Sequence, residues 1–143
     1  MKKEFLYQGL GFPVLLTDVE IGVHDGEELP LVNHRRLEEA VFEQLTITPE
    51  RLTGVQLAWI RGFMGLSQSE LAKHLAFNSH ATISVWEAQA SDVTGMDART
   101  EYCLRLEMCR YVHAKSDALV KDMPSFMDMK QKNNLVKILK IAA

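Results

Sequence analysis

Two periods divide this chain. Up to residue 33 the apolar positions recur every second residue: Val19, Ile21 and Val23 alternate with Asp18, Glu20 and His24. That is the pattern of a strand with one wet face. Asp25-Gly26 is a turn dipeptide leading into Leu29-Pro30-Leu31-Val32, and Phe12-Pro13-Val14-Leu15-Leu16 predicts a preceding strand. Pro13 and Pro30 suit strand starts or sheet edges. About three short strands bury little surface by themselves. This small β module, residues 5–33, is therefore expected to lean on a helix or on another chain.

The period changes after Asn33, a helix-capping residue type. In HRRLEEAVFEQL the apolar Leu37, Val41, Phe42 and Leu45 fall on one helical face. Thr48-Pro49 marks a new helical start, so residues 46–53 are the candidate boundary. Beyond it, Thr53 can cap a helix reaching about Met64, with Leu57, Ile60 and Met64 inward and Gly65 ending it. Ser67 and Glu70 have the spacing of a capping box for a second helix, whose buried stripe is Leu71, Ala72 and Leu75. Asn78 or Ser79 can cap a third, with Ile83 and Trp86 inward. Ser79, His80, Thr82, Ser84 and Val85 are left outside, near its N-terminal half. Three short capped helices in this order read as a helix-turn-helix, whose last helix enters the DNA major groove.

Gly95 interrupts the pattern, and residues 97–121 read as a long helix with two apolar stripes. One runs through Leu104, Met108, Tyr111, Lys115 and Leu119, the other through Tyr102, Leu106, Cys109 and His113. Burial against both the core and a second subunit is expected, giving a two-fold dimer. Cys109 and His113, one turn apart, read as a buried face rather than a metal pair. Pro124 ends this segment, and residues 125–141 predict a further helix. The fold class expected is mainly α: a five-helix helix-turn-helix domain with a small N-terminal β module and a C-terminal helical extension. The corresponding divisions are 1–47, 48–96 and 97–143.

Charge sharpens this division. Residues 1–50 hold 4 Lys/Arg against 10 Asp/Glu, whereas residues 97–143 hold 9 against 6, within a total of −3. An acidic front end is repelled by phosphates but suits a basic partner protein. The two cysteines fit a reducing compartment, and no apolar run reaches the length of a membrane span. The first residues lack the apolar region of a signal peptide, so a cytoplasmic protein is expected. No nucleophile–base set, phosphate loop or clustered metal ligands stand out, so neither an enzyme nor a bound cofactor is expected.

The central stretch, IRGFMGLSQSELAKHLAFNSHATISVWE, resembles the xenobiotic-response-element (XRE) class of helix-turn-helix regulators. Arg61, Gly65-Leu66-Ser67-Gln68, Glu70-Leu71-Ala72, Ile83-Ser84 and Trp86-Glu87 carry the resemblance, over about a quarter of the chain. A small β module and a connecting helix before that core look like antitoxins of the MqsA type. What the resemblance implies is a dimeric repressor bound to a double-stranded DNA operator, with residues 1–50 available to a basic toxin. The chain departs from those antitoxins in lacking a Cys-x-x-Cys near the front, and with it their zinc site. It departs from the wider class in having one extra residue between Gln68 and Glu87, within AFNSHA, and no Lys or Arg between Ser79 and Gln89. The extra residue leaves the register of reading residues open by one position.

The DNA-contacting residues expected are therefore Gln68, Ser79, His80, Thr82, Ser84 and Val85. Gln68 is placed for a phosphate or an adenine, the hydroxyls and imidazole for polar contacts, and Val85 for a thymine methyl. A protein-interaction adaptor that keeps the scaffold without base reading is the alternative, motivated by the missing Lys and Arg in the third helix.

Overall fold

The computed structural model describes residues 2–112, 121, 123–124 and 138–142. Among them lie five helices and a four-stranded mixed sheet, 45% helix and 22% strand. This overturns the expectation of a mainly α fold: the sheet is a full structural layer, and the chain is a mixed α and β protein.

The sheet is built on β2 (Val14–His24), to which β1 (Lys2–Tyr7), β3 (Glu27–Pro30) and β4 (Leu139–Ala142) all pair. Two strands were expected over 12–23, yet one continuous strand of 11 residues covers most of that stretch. The reason is a bulge. Leu16 pairs Phe5 and Val19 pairs Lys3, so Thr17 and Asp18 stand opposite Glu4 alone, with Asp18 at φ 53°. The extra residue shifts the side-chain phase by one. Val14 and Leu16 before it, and Val19 after it, are therefore all buried on one face, although 16 and 19 are of opposite parity. The β2–β3 turn has Asp25 at φ 50° and Gly26 at φ 81°, both positive as a two-residue hairpin requires.

The C-terminal helical extension also needs correction. Leu139–Ala142, expected within a helix over 125–141, is β4, running parallel to β2 from Val14↔Leu139 to Thr17↔Ala142. Leu139 and Ile141 are buried while Lys140 is exposed, the period of two rather than 3.6. The rest of that helix, and positions 113–120 with His113, Lys115 and Leu119, lie outside the described residues.

The helices follow their caps. Helix α1 (His34–Ile47) starts where Asn33 Oδ1 accepts from the Arg36 amide at 3.2 Å, and it buries Leu37, Val41, Phe42 and Leu45. Three further helices, α2 (Gly54–Phe63), α3 (Gln68–His74) and α4 (Ala81–Glu87), occupy the stretch expected to be a helix-turn-helix, followed by α5 (Ala98–Tyr111). One hydrophobic core joins the layers, running from Phe12, Val14 and Leu16 through Val41, Phe42 and Leu57 to Ile83, Leu104 and Met108. Phe12 meets Trp59 edge-on at 5.9 Å, and Phe42 stacks on Phe63 at 4.5 Å. The β module thus leans on α1 and α2, an arrangement that gives its few strands a second layer.

A buried ionic cluster ties the 46–53 connection to α5. Glu101, with no exposure, accepts from Arg51 Nε and Arg105 Nη2, each at 3.1 Å, and from the Leu52 amide at 3.0 Å. Arg105, also fully buried, donates to the carbonyls of Thr46 (3.2 Å), Thr48 and Glu50 (2.8 Å). Burial lowers the Arg105 pKa, and Glu101 opposes the shift. The linker carbonyls that no helix satisfies are met by one guanidinium.

Candidate nucleic-acid interface

The site begins with two capping boxes. Thr53 Oγ1 accepts from the Gln56 amide at 3.3 Å, and the Gln56 side chain accepts from the Thr53 amide at 3.0 Å. Ser67 and Glu70 repeat the arrangement on α3, at 3.1 and 3.0 Å. The bonds from Ser67 hold the Glu70 carboxyl below its ordinary range. Between them, α2 ends with the Gly65 amide on Gly62 O and the Leu66 amide on Arg61 O, with Gly65 at φ 70°. This reversal turns the chain into α3 after only Gly65, Leu66 and Ser67.

The end of α3 repeats the motif with a less suited residue. Ala76 N bonds Lys73 O and Phe77 N bonds Ala72 O, but the left-handed position is held by Ala76 at φ 62°. Phe77 then packs edge-on against Trp86 at 5.5 Å. The longer α3–α4 connection is absorbed in this stretch: α4 starts only at Ala81, and Ser79 Oγ accepts from the Ala81 amide at 3.1 Å.

The C-terminal end of α4 is set by close backbone contact with the start of α2. Gly54 N and Val55 N, donors that open a helix unpaired, bond Asp92 O (3.1 Å) and Ala90 O (2.9 Å). A Cβ on Gly54 would stand 2.7 Å from Trp86 O, Glu87 O and Ala90 N. Only glycine permits that approach.

A polar clamp locks the three helices together. Arg61 donates to Glu87 through Nε (2.7 Å) and Nη2 (3.0 Å), and to Leu66 O through Nη1 (3.0 Å). Gln68 Nε2 donates to the same Glu87 carboxylate at 3.1 Å. The two-point hydrogen bond with Glu87 raises the Arg61 pKa against the opposing effect of burial. One residue from each helix, α2, α3 and α4, therefore meets at one carboxylate.

The clamp divides the six expected contact residues. Gln68 belongs to it, half-buried with its amide group oriented by Glu87. Neither Asn78 nor Ser79 caps α4 as expected: the N-cap is His80, exposed and without a side-chain capping bond, while exposed Ser79 accepts from the Ala81 amide in a local turn. Thr82 is half-buried, whereas Ser84 is exposed and Val85 is 60% exposed. Ala81, Ser84, Val85 and Ala88 follow helical spacing and share one exposed face opposite buried Ile83. Gln89 Nε2 folds back onto Val85 O at 3.2 Å. What the motif reading missed is the pairing itself: Arg61 and Glu87 stand 26 residues apart, and nothing local links them.

Two clefts lie away from α4. One of about 460 Å3 is lined by Asp18, Glu20, Leu31, Arg36 and Ile141; the other, of about 610 Å3, by Glu38, Glu39, Glu43, Phe63 and Tyr111. Among the described residues no three His, Cys, Asp or Glu side chains converge in a metal-binding group. No helix among them is long and apolar enough to cross a membrane. Comparisons with protein-family models, curated proteins and solved structures find no match to this chain.

Proposed function

We propose that this protein is a sequence-specific DNA-binding regulator, a repressor that presents α4 to the major groove as a homodimer. The observation that supports it most is the Arg61–Glu87–Gln68 clamp: it fixes α4 from two sides while Ser79, His80, Ser84 and Val85 stay exposed. Those residues are the polar and methyl-bearing types that contact base edges. The resemblance to XRE-class regulators supports the same reading.

The test is a shift assay with duplexes from the protein's own locus, followed by footprinting. A protected inverted repeat with half-sites about one helical turn apart is the expected result. Because α4 has no Lys or Arg, the salt dependence should be shallow, well short of a slope near −10. The absence of submicromolar binding at low salt to any such duplex overturns the proposal. The lack of Lys and Arg on α4 favours one second reading, a protein-interaction adaptor that keeps the scaffold, and that outcome would select it.

A narrower proposal is that the regulator is also an antitoxin, with its β module bound to a basic protein. Leu29 and Leu31 are exposed there on one face of the sheet, beside the exposed carboxylates Glu20 and Glu27. An apolar patch rimmed by acid complements a basic partner. Co-purification with a small basic protein encoded at the adjoining locus, lost on Leu29→Asp with Leu31→Asp, is the supporting result. Unchanged co-purification by the double variant removes this face from the proposal.

A further inference from the structure

We infer that Val85 reads the C5-methyl group of a pyrimidine in the major groove, so that the preferred site carries a methylated pyrimidine at one fixed position in each half-site. The inference rests on the DNA-binding reading and names the chemistry that α4 recognises.

Val85 is the large apolar side chain that α4 turns outward, at 60% exposure, while Ile83 is fully buried and Trp86 packs on Phe77. Its neighbours on the exposed face of the helix, Ala81, Ser84 and Ala88, are small, and the longer Gln89 folds its amide back onto Val85 O at 3.2 Å. The helix can therefore approach a groove floor closely, with Val85 as its most prominent side chain. The surroundings are also electrically quiet. The one carboxylate on α4, Glu87, is turned to Arg61 and Gln68, and the stretch from Ser79 to Gln89 has no Lys or Arg. A guanine contact by a bidentate cation is thus not available from this helix, and the distinguishing major-groove feature that remains apolar is the pyrimidine methyl. A β-branched side chain in a helix is nearly confined to one rotamer, so little freedom is lost when it packs on that methyl.

Thymine and 5-methylcytosine present the same methyl at the same place, and the experiment separates them. A duplex selected from a random library by the full-length protein is resynthesised with deoxyuridine replacing each thymine in turn. Wild type is expected to lose affinity about fourfold at one position per half-site, the worth of one methyl-sized contact. Val85→Ala should bind thymine and uracil duplexes equally while retaining the selected sequence at other positions. Replacing that T·A pair by C·G should weaken binding. Recovery with 5-methylcytosine·G assigns recognition to the methyl from either source, and no recovery narrows it to thymine. Equal binding of thymine and uracil duplexes by wild type, or a uracil penalty that persists in Val85→Ala, overturns the inference and leaves DNA binding standing. Failure to select any duplex overturns both.

Discussion

Two clusters in this protein use the same residue types, arginine on glutamate, in different settings. Glu101 with Arg51 and Arg105 is buried, and its three side chains are at most 6% exposed. Glu87 with Arg61 lies at the rim, with side chains 10% and 23% exposed. The buried cluster joins the α1–α2 connection to α5; the rim cluster holds α4 against α2 and α3. The difference lies in what each does when broken. A buried carboxylate between two guanidiniums cannot be removed without stranding charge in a low dielectric, whereas rim partners can turn to water. The first cluster therefore acts mainly on stability, and the second on the placement of α4.

The largest effect is expected from Glu101→Ala. It removes the carboxylate that Arg51 and Arg105 share and the acceptor of the Leu52 amide, and should cost about 3–5 kcal/mol in urea unfolding. A loss under 1 kcal/mol would mean that the cluster is not buried as described. Glu87→Ala should cost less, about 1–3 kcal/mol. Duplex affinity should fall further than that of a surface variant of equal stability, because Gln68 and α4 lose their shared anchor. Equal losses of stability from Glu101→Ala and Glu87→Ala would erase the contrast between the two clusters.

Ala76→Gly sharpens the contrast from the other side. A left-handed Ala in the α3–α4 connection is disfavoured by about 1–2 kcal/mol, partly offset by the greater freedom of an unfolded Gly. A net gain of about 0.5–1 kcal/mol is expected, read as a raised urea midpoint, without change at the buried cluster.

The smallest effect is acid dependence. Backbone bonds hold Glu70 and Asp97, the former from Ser67 and the latter from Thr100, below the ordinary carboxylate range. Each folded carboxylate binds its proton less readily than the unfolded one. The stability it contributes is thus present above about pH 4 and lost as pH falls through the depressed folded value. Glu70→Gln with Asp97→Asn keeps acceptors at both caps and removes the titration. The melting temperature of the double variant should therefore fall less than that of wild type between pH 5 and pH 3.

The rim cluster's members were legible singly, as Arg61, Gln68 and Glu87 within a motif, because caps and turns are local and leave marks at fixed offsets. The buried cluster also leaves a mark in the sequence, one that apolar periodicity alone does not pick out. Glu101, Leu104, Arg105 and Met108 form one helical stripe, and two charges inside an apolar stripe can be buried only if partnered. Reading the apolar residues alone drew the stripe around them.

The chain by itself determined α2, α3 and the reversal between them, since both capping boxes and the Gly65 turn are set within a few residues, whereas the start of α4 at His80 carries no side-chain cap. It also determined the Asp25-Gly26 hairpin, whose two positive φ values are a property of those residue types. Only the tertiary structure decided that β2 is one bulged strand, that Leu139–Ala142 is a strand and not a helix, and that Glu87 answers to two other helices. Each depends on a partner far along the chain. A short apolar run such as Leu-Lys-Ile suits either period until an edge of β2 lies beside it, and pairing with that edge makes it a strand.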